Sequence, residues 1–338
     1  MWRWISYWLI GFITGLIAFA MDIGEEFFVN IRNKTVDLIL TSYEDNEGAG
    51  ITFAWAFLAC YSFALAALAS YLTITCGPGA NGSGIAELIA YLNGVNMPKL
   101  IGWGTFIIKI VCVILGIAAS LCIGKEGPLA HIGANVGILL IYYFPLDVFN
   151  YYRNDVMKRE FASAGIAAGV SAAFGSPIGG TLFAYELSKP SVFWTFSMMW
   201  RSFFTAAVST YTLSFLDHVY TEGWSNLTLT AAGTLKFGEL QQAEVLLSDI
   251  HGPIVLGILG GLFGSFFINI NTRMSVFRKK YVTSTTAKVI ECGMYGLATM
   301  SVCVLFISFG ELDGCQTPLH ITKGTVGNEN EEINIHNL

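Results

Sequence analysis

The sequence predicts an all-α polytopic membrane protein whose helices are broken at membrane depth, and three observations carry that expectation. Hydrophobic residues make up 54% of the 338-residue chain and charged residues only 12%, with a mean hydropathy of +0.59, a balance foreign to a soluble domain of this size. Apolar windows at 5–21, 51–75, 101–123, 161–185, 192–216, 253–270 and 289–309 approach or exceed the roughly 20 residues that cross a hydrocarbon core. They lack the strict apolar/polar alternation of barrel strands, so helices are left to satisfy the backbone in lipid. Third, two of these regions end in Gly/Pro-rich breaks that lead directly into helix-forming sequence.

The first window follows Met1-Trp-Arg-Trp without a small-residue cleavage site, which predicts a first membrane helix rather than a signal peptide, with Trp and Tyr at its start suited to the interface. Beyond it, 22–50 is an acidic loop by composition: Glu25, Glu26, Asp37, Glu44, Asp45 and Glu47 stand against Arg32 and Lys34. A second acidic loop, 217–249, sets Glu222, Glu239 and Glu244 against Lys236. Basic residues gather at Arg153, Lys158 and Arg159 and again at Arg273, Arg278, Lys279, Lys280 and Lys288. Lys and Arg mark the cytoplasmic side, so the acidic loops face outward or into a lumen. The net charge of −6 gives no basic surface for nucleic acid. The seven Cys show no metal spacing, and Cys60, Cys76, Cys112 and Cys122 read as small apolar packing residues. Glycosylation sequons begin at Asn33, Asn81 and Asn226, the first and last in the acidic loops.

The first break is GPGANGSGIA at 77–86 and the second GKEGP at 124–128. Each reads as the N-terminus of a helix that starts inside the membrane, where irregular backbone survives only against protein or a water-filled cavity. A third stretch, GIAAGVSAAFGSPIGG at 165–180, spaces small residues so that helices can approach closely. Helix N-termini meeting at the midplane hold an anion without a full cation, because first-turn amides lack intrahelical partners and the aligned peptide dipoles leave about half a positive charge there. Glu126 stands where such an anion would sit, so its carboxylate is a gate that occupies the site and is displaced or protonated away. The bland alternative is a structural carboxylate paired with Lys125. Ser83 is either an anion ligand or a helix cap. Lys109 and Arg201 fall within spans and either snorkel or pair; His131 reads as a packed helix residue.

In this order and at these separations, GSGI at 82–85 followed by Glu87, GKEGP at 124–128, SAGIAAGVSAAFGSPIGG at 163–180 and LFAYE at 182–186 resemble the CLC family of chloride channels and chloride/proton exchangers. The resemblance runs from about residue 8 to 238, and YRND at 152–155 and LKFG at 235–238 look most like the endosomal and lysosomal eukaryotic branch. It implies a CLC-type fold with inverted repeats and discontinuous helices. It also implies a chloride site formed by the Ser83 hydroxyl and the amides of Gly84, Ile85, Glu126 and Gly127, gated by Glu126. A Ser at 83 resembles chloride-selective members. Further implied are a homodimer with one pore per subunit, chloride and protons as transported ions, no cofactor, no covalent chemistry, and residence in an endosomal or lysosomal membrane, with the plasma membrane as the alternative.

Two residues depart from the family pattern. Ala86 stands where Pro is usual, which loosens a preset φ. Leu187 stands where exchangers carry a second glutamate, the cytoplasmic proton acceptor, directly after the one matched by Glu186. Channel members also have an apolar residue there, so voltage-gated, channel-like conduction is the expectation and chloride/proton antiport the alternative. Glu186, roughly 100° around a helix from 187, is either structural or a partial substitute. The expected organisation is a first transmembrane repeat over 1–250, the start of a second over 251–310, and a polar divergent tail over 311–338, with an incomplete second repeat and no CBS modules. A reading from another class is a truncated, non-transporting subunit that modifies full-length CLC dimers.

Overall fold

The computed structural model describes residues 2–43, 47–97, 99–143, 153–188, 194–223 and 250–312, and every regular element among them is helical. In chain order these are α1 (Trp2–Ser42), α2 (Glu47–Cys76), a 3-10 turn (Pro78–Ala80), α3 (Ile85–Leu92), α4 (Trp103–Ala118), α5 (Glu126–Tyr143), α6 (Asp155–Phe174), α7 (Pro177–Ser188), α8 (Phe196–Glu222), α9 (His251–Tyr281) and α10 (Thr285–Leu312). Among the described residues, four helices are long and apolar enough to cross a membrane: α1, α2 from Gly48, α9, and α10 as far as Phe306. The sequon at Asn226, LKFG at 235–238, most of the second acidic loop and the tail from 313 lie outside the described residues.

Two boundaries and one packing expectation differ from the sequence reading. The window 161–185 is two helices, because Gly175 takes a left-handed cap and Pro177, which lacks an N–H, opens α7. The acidic stretch after Met21 is not a loop: α1 continues helical to Ser42 and carries Glu25, Glu26 and Asp37 with it. The sequon at Asn33 therefore lies within a helix, where Thr35 Oγ1 donates to Ile31 O at 2.8 Å. Cys60, Cys76 and Cys122 are exposed instead of packed, and only Cys112 of the four is half-buried.

The centre of the molecule is α6, buried at every position from Glu160 to Ala172. Such burial needs close neighbours on several sides, and the small residues provide it. A side chain at Gly165 would fall on the carbonyl of Gly133 in α5, and one at Gly133 would fall on that of Gly165. Around this crossing, Leu88 and Leu92 of α3, Ala134 and Ile138 of α5, Ile166 and Val170 of α6 and Ala184 of α7 form one core. A second joins Tyr7 and Ile10 of α1 to Phe161 and Ile141. α10 lies against α2, whereas α9 has no buried residue and is joined to α10 through Arg278 and Glu291, at 2.6 and 2.9 Å.

Arg201 pairs rather than snorkels. The buried Glu160 accepts from Arg3 Nη2 at 2.7 and 2.6 Å, from Tyr7 Oη at 2.7 Å and from Arg201 Nη1 at 2.8 Å. One carboxylate thus ties together the starts of α1, α6 and α8. A buried charge is tolerable when it is paired and hydrogen-bonded in this way.

Candidate functional site

Two helix N-termini meet at the breaks singled out by the sequence. α3 opens at Gly84, whose carbonyl accepts the first helical bond from Leu88 N at 2.9 Å, and α5 opens at Lys125, whose carbonyl accepts from Leu129 N at 2.8 Å. Amides in these first turns have no helical acceptor. At α5 they reduce to Glu126 and Gly127, because Pro128 has no N–H. Contact between the two starts is close: a Cβ added at Gly127 would lie 2.7 Å from Ser83 Cβ and 3.3 Å from Ile85 Cδ1. Gly is the residue that permits this approach, and it brings Ser83, Ile85 and Gly127 into one group.

Gly84 has a φ of +83°, a left-handed conformation that favours glycine. It is also buried, and a side chain there would land on His131 Nδ1. His131 is fully buried, its Nε2 lies 2.9 Å from Leu100 O, and its Nδ1 has no partner. The imidazole therefore fills the space behind the α3 start and braces the 93–102 connection at the same time. Ser83 is exposed, and its hydroxyl lies 3.4 Å from Ile85 N, too long for a strong cap.

Glu126 is half-buried on the first turn of α5, and its Oε2 folds back against Gly124, into the space a side chain at position 124 would occupy. Lys125 does not pair with it. The Lys125 ammonium contacts Asp22 of α1, and among the described residues no ion pair includes Glu126. The same segment is held a second time by α1, through Arg32 Nη1 and Ser120 Oγ. This arrangement leaves a carboxylate at a positive helix end, next to a second positive helix end, with nothing of opposite charge fixing it. It can lie across the two starts or leave them to another anion.

Glu186 and Leu187 lie apart from this group, at the C-terminal end of α7. Leu187 packs against the core that contains Leu88 and Ile166, while Glu186 is exposed, as a step of about 100° around the helix requires. Lys109, left open between snorkelling and pairing, does neither: it is buried and donates to the carbonyls of Ala80 and Gly82 in the loop before α3. The roles of Lys109, His131, Asp22 and Glu160 were not readable from the sequence. The lone signal for Lys109 is a cation in the middle of the apolar run of α4.

Comparison with known proteins bears on this geometry. A family model described as voltage gated chloride channel matches residues 65–335. H(+)/Cl(-) exchange transporter 7 of Mus musculus is 33% identical over 314 residues, covering 90% of this chain and 38% of its own length. Chloride channel protein A of Dictyostelium discoideum is 32% identical over 313 residues, covering 90% and 34%. The chain thus spans well under half the length of these relatives. A solved slow cyanobacterial Cl-/H+ antiporter superposes with a TM-score of 0.69 at 20% identity, over 88% of this chain and 63% of that one, which shows a shared fold. Helices long enough to span, discontinuous starts that meet, this fold and the family match over most of the length agree: the chain is a multi-pass membrane protein and belongs to the CLC family, that of the voltage gated chloride channels.

Proposed function

We propose that this chain carries chloride across a membrane, along a path that passes the meeting helix starts of α3 and α5 and is gated by Glu126. The observation that carries the reading is the contact of Gly127 with Ser83, which sets two sets of free amides beside one unpaired carboxylate. Ser83 and the amides of Gly84, Ile85, Glu126 and Gly127 are the ligands in this reading, and dehydrated chloride gains hydrogen bonds from them without a full counter-charge.

Protons are the second ion. The names of the relative from Mus musculus and of the cyanobacterial neighbour join chloride to H+, which weighs for exchange over the channel-like conduction expected from Leu187. A second reading, uncoupled conduction, is favoured by Leu187 itself, since leucine holds no proton and Glu186 points to another side of α7. We place the first repeat at 1–250, the start of the second at 251–310 and a tail at 311–338. The assembly in this reading is a homodimer in an endosomal or lysosomal membrane, and transport needs no cofactor and makes no covalent bond.

Chloride efflux from proteoliposomes holding the 338-residue chain, recorded together with internal and external pH, tests both readings. Chloride efflux with opposed proton movement is the expected result. Efflux without proton movement selects uncoupled conduction. No efflux from verified, folded protein overturns transport by this chain alone.

A further inference from the structure

Lys109 is 2% exposed in the middle of α4, and its Nζ donates to Ala80 O at 3.2 Å and to Gly82 O at 2.7 Å. Both acceptors belong to the loop that leads into α3. Among the described residues no ion pair includes Lys109. Two neutral carbonyls take two of its three N–H donors, and the carboxylate of Glu87 on α3 offsets part of the buried charge through space.

The bonds also fix the direction of the loop's peptide groups. In a trans peptide the C=O and the following N–H point to opposite sides, and the chain has no cis bond among the described residues. With the carbonyls of Ala80 and Gly82 turned onto Lys109, the N–H groups of Asn81 and Ser83 are turned away from it. No backbone acceptor takes either of these amides among the described residues. His131 backs the loop at Gly84, and Thr105 Oγ1, one turn before Lys109, holds Lys99 O at 2.8 Å. The loop is thus held by Lys109 of α4 and His131 of α5, with the Asn81 and Ser83 amides turned away from Lys109.

We infer that Lys109 is a positioning residue of the chloride site: it aims the Ser83 and Asn81 amides at the anion by holding the carbonyls behind them. This inference rests on the chloride reading above. It predicts that Lys109 governs both affinity and anion choice, whereas a lysine that only filled space would affect stability alone.

The test is chloride binding by titration calorimetry on the purified full chain, with nitrate as competitor and a thermal melt run beside it, for the wild type, Lys109→Met and Lys109→Arg. Met matches the apolar stem but removes donors and charge. The expected result is chloride binding weakened about tenfold or more, with chloride-over-nitrate preference lost, in a variant that still melts cooperatively. Lys109→Arg keeps the charge but donates through a planar fork, so binding weakened about threefold is expected. A folded Lys109→Met with wild-type affinity and selectivity overturns the inference and leaves the chloride reading intact. Should Lys109→Met not fold, a Lys109→Arg protein identical to wild type in both readouts overturns it. A wild type that binds no chloride removes the chloride reading, and the inference with it.

Discussion

At the scale of single residues, Glu126 and Glu160 show two opposite fates for a carboxylate in an apolar protein. Among the described residues no ion pair includes Glu126, and Asp22 takes its neighbour Lys125. Its carboxylate sits on the first turn of α5, folded back against Gly124, and in the proposed gate it exchanges with chloride at the two helix starts. In the gate reading, acidifying the outer solution is expected to free the site and raise flux in the wild type. Glu126→Ala removes the titrating group, and its chloride flux is expected to stay flat with external pH; a pH response equal to that of the wild type would sink the gate assignment. Glu160 is the contrary case, held by Arg3, Arg201 and Tyr7 at 2.6 to 2.8 Å. Glu160→Ala leaves two arginines without their shared acceptor, at a cost of about 3–5 kcal/mol. The thermal midpoint of the purified protein is expected to fall sharply, and to fall less for Glu160→Gln, which retains an acceptor for Tyr7.

At the scale of elements, the site depends on how closely α5 and α6 cross, since α5 carries Glu126 and Gly127 and α6 is the buried centre. Gly165 meets the backbone of Gly133 with no room for a side chain. Gly165→Leu must push the helices apart, costing at least about 1–3 kcal/mol and moving the α5 start relative to α3. Both a lower melting temperature and weaker chloride binding are expected; a variant that melts lower but binds chloride normally would show that the crossing is not what positions the site. This contact was legible in the sequence as small residues four apart, and the helix starts were legible as Gly/Pro punctuation. The split of 161–185 was harder, because hydropathy reports an apolar environment and does not distinguish one long span from two short helices. The helical course of α1 beyond Met21 was missed for the same reason: acidic composition signals contact with water, not the absence of a helix. Lys109 and Glu160 were illegible in a stronger sense. Their partners are backbone carbonyls 27 and 29 residues away and side chains up to 157 residues away, and such contacts leave no periodic trace.

At the scale of the whole molecule, the question is which end of the bundle faces the cytoplasm. The Glu160 network brings Arg3 and Arg201 to the start of α6, next to Arg153, Lys158 and Arg159, so the basic residues of three helices lie at one end. Lys158 is further held over the rings of Tyr91 and Tyr142. Positive charge is retained on the cytoplasmic side, which orients α1, α6 and α8 with their N-termini inward. α1 has 41 residues, a length of about 60 Å or twice the hydrocarbon core, so its acidic half extends beyond the far side of the bilayer. Val156 and Leu38 are exposed markers near the two ends. In a background with the native cysteines replaced by serine, a membrane-impermeant maleimide is expected to label Val156→Cys only from the cytoplasmic side and Leu38→Cys only from the other. Labelling of both from one side would mean that α1 does not cross. The Lys125 segment, pinned to α1 through Asp22 and Arg32, would then leave the membrane with it, and Glu126 would stand in water, where two helix dipoles are too screened to hold chloride.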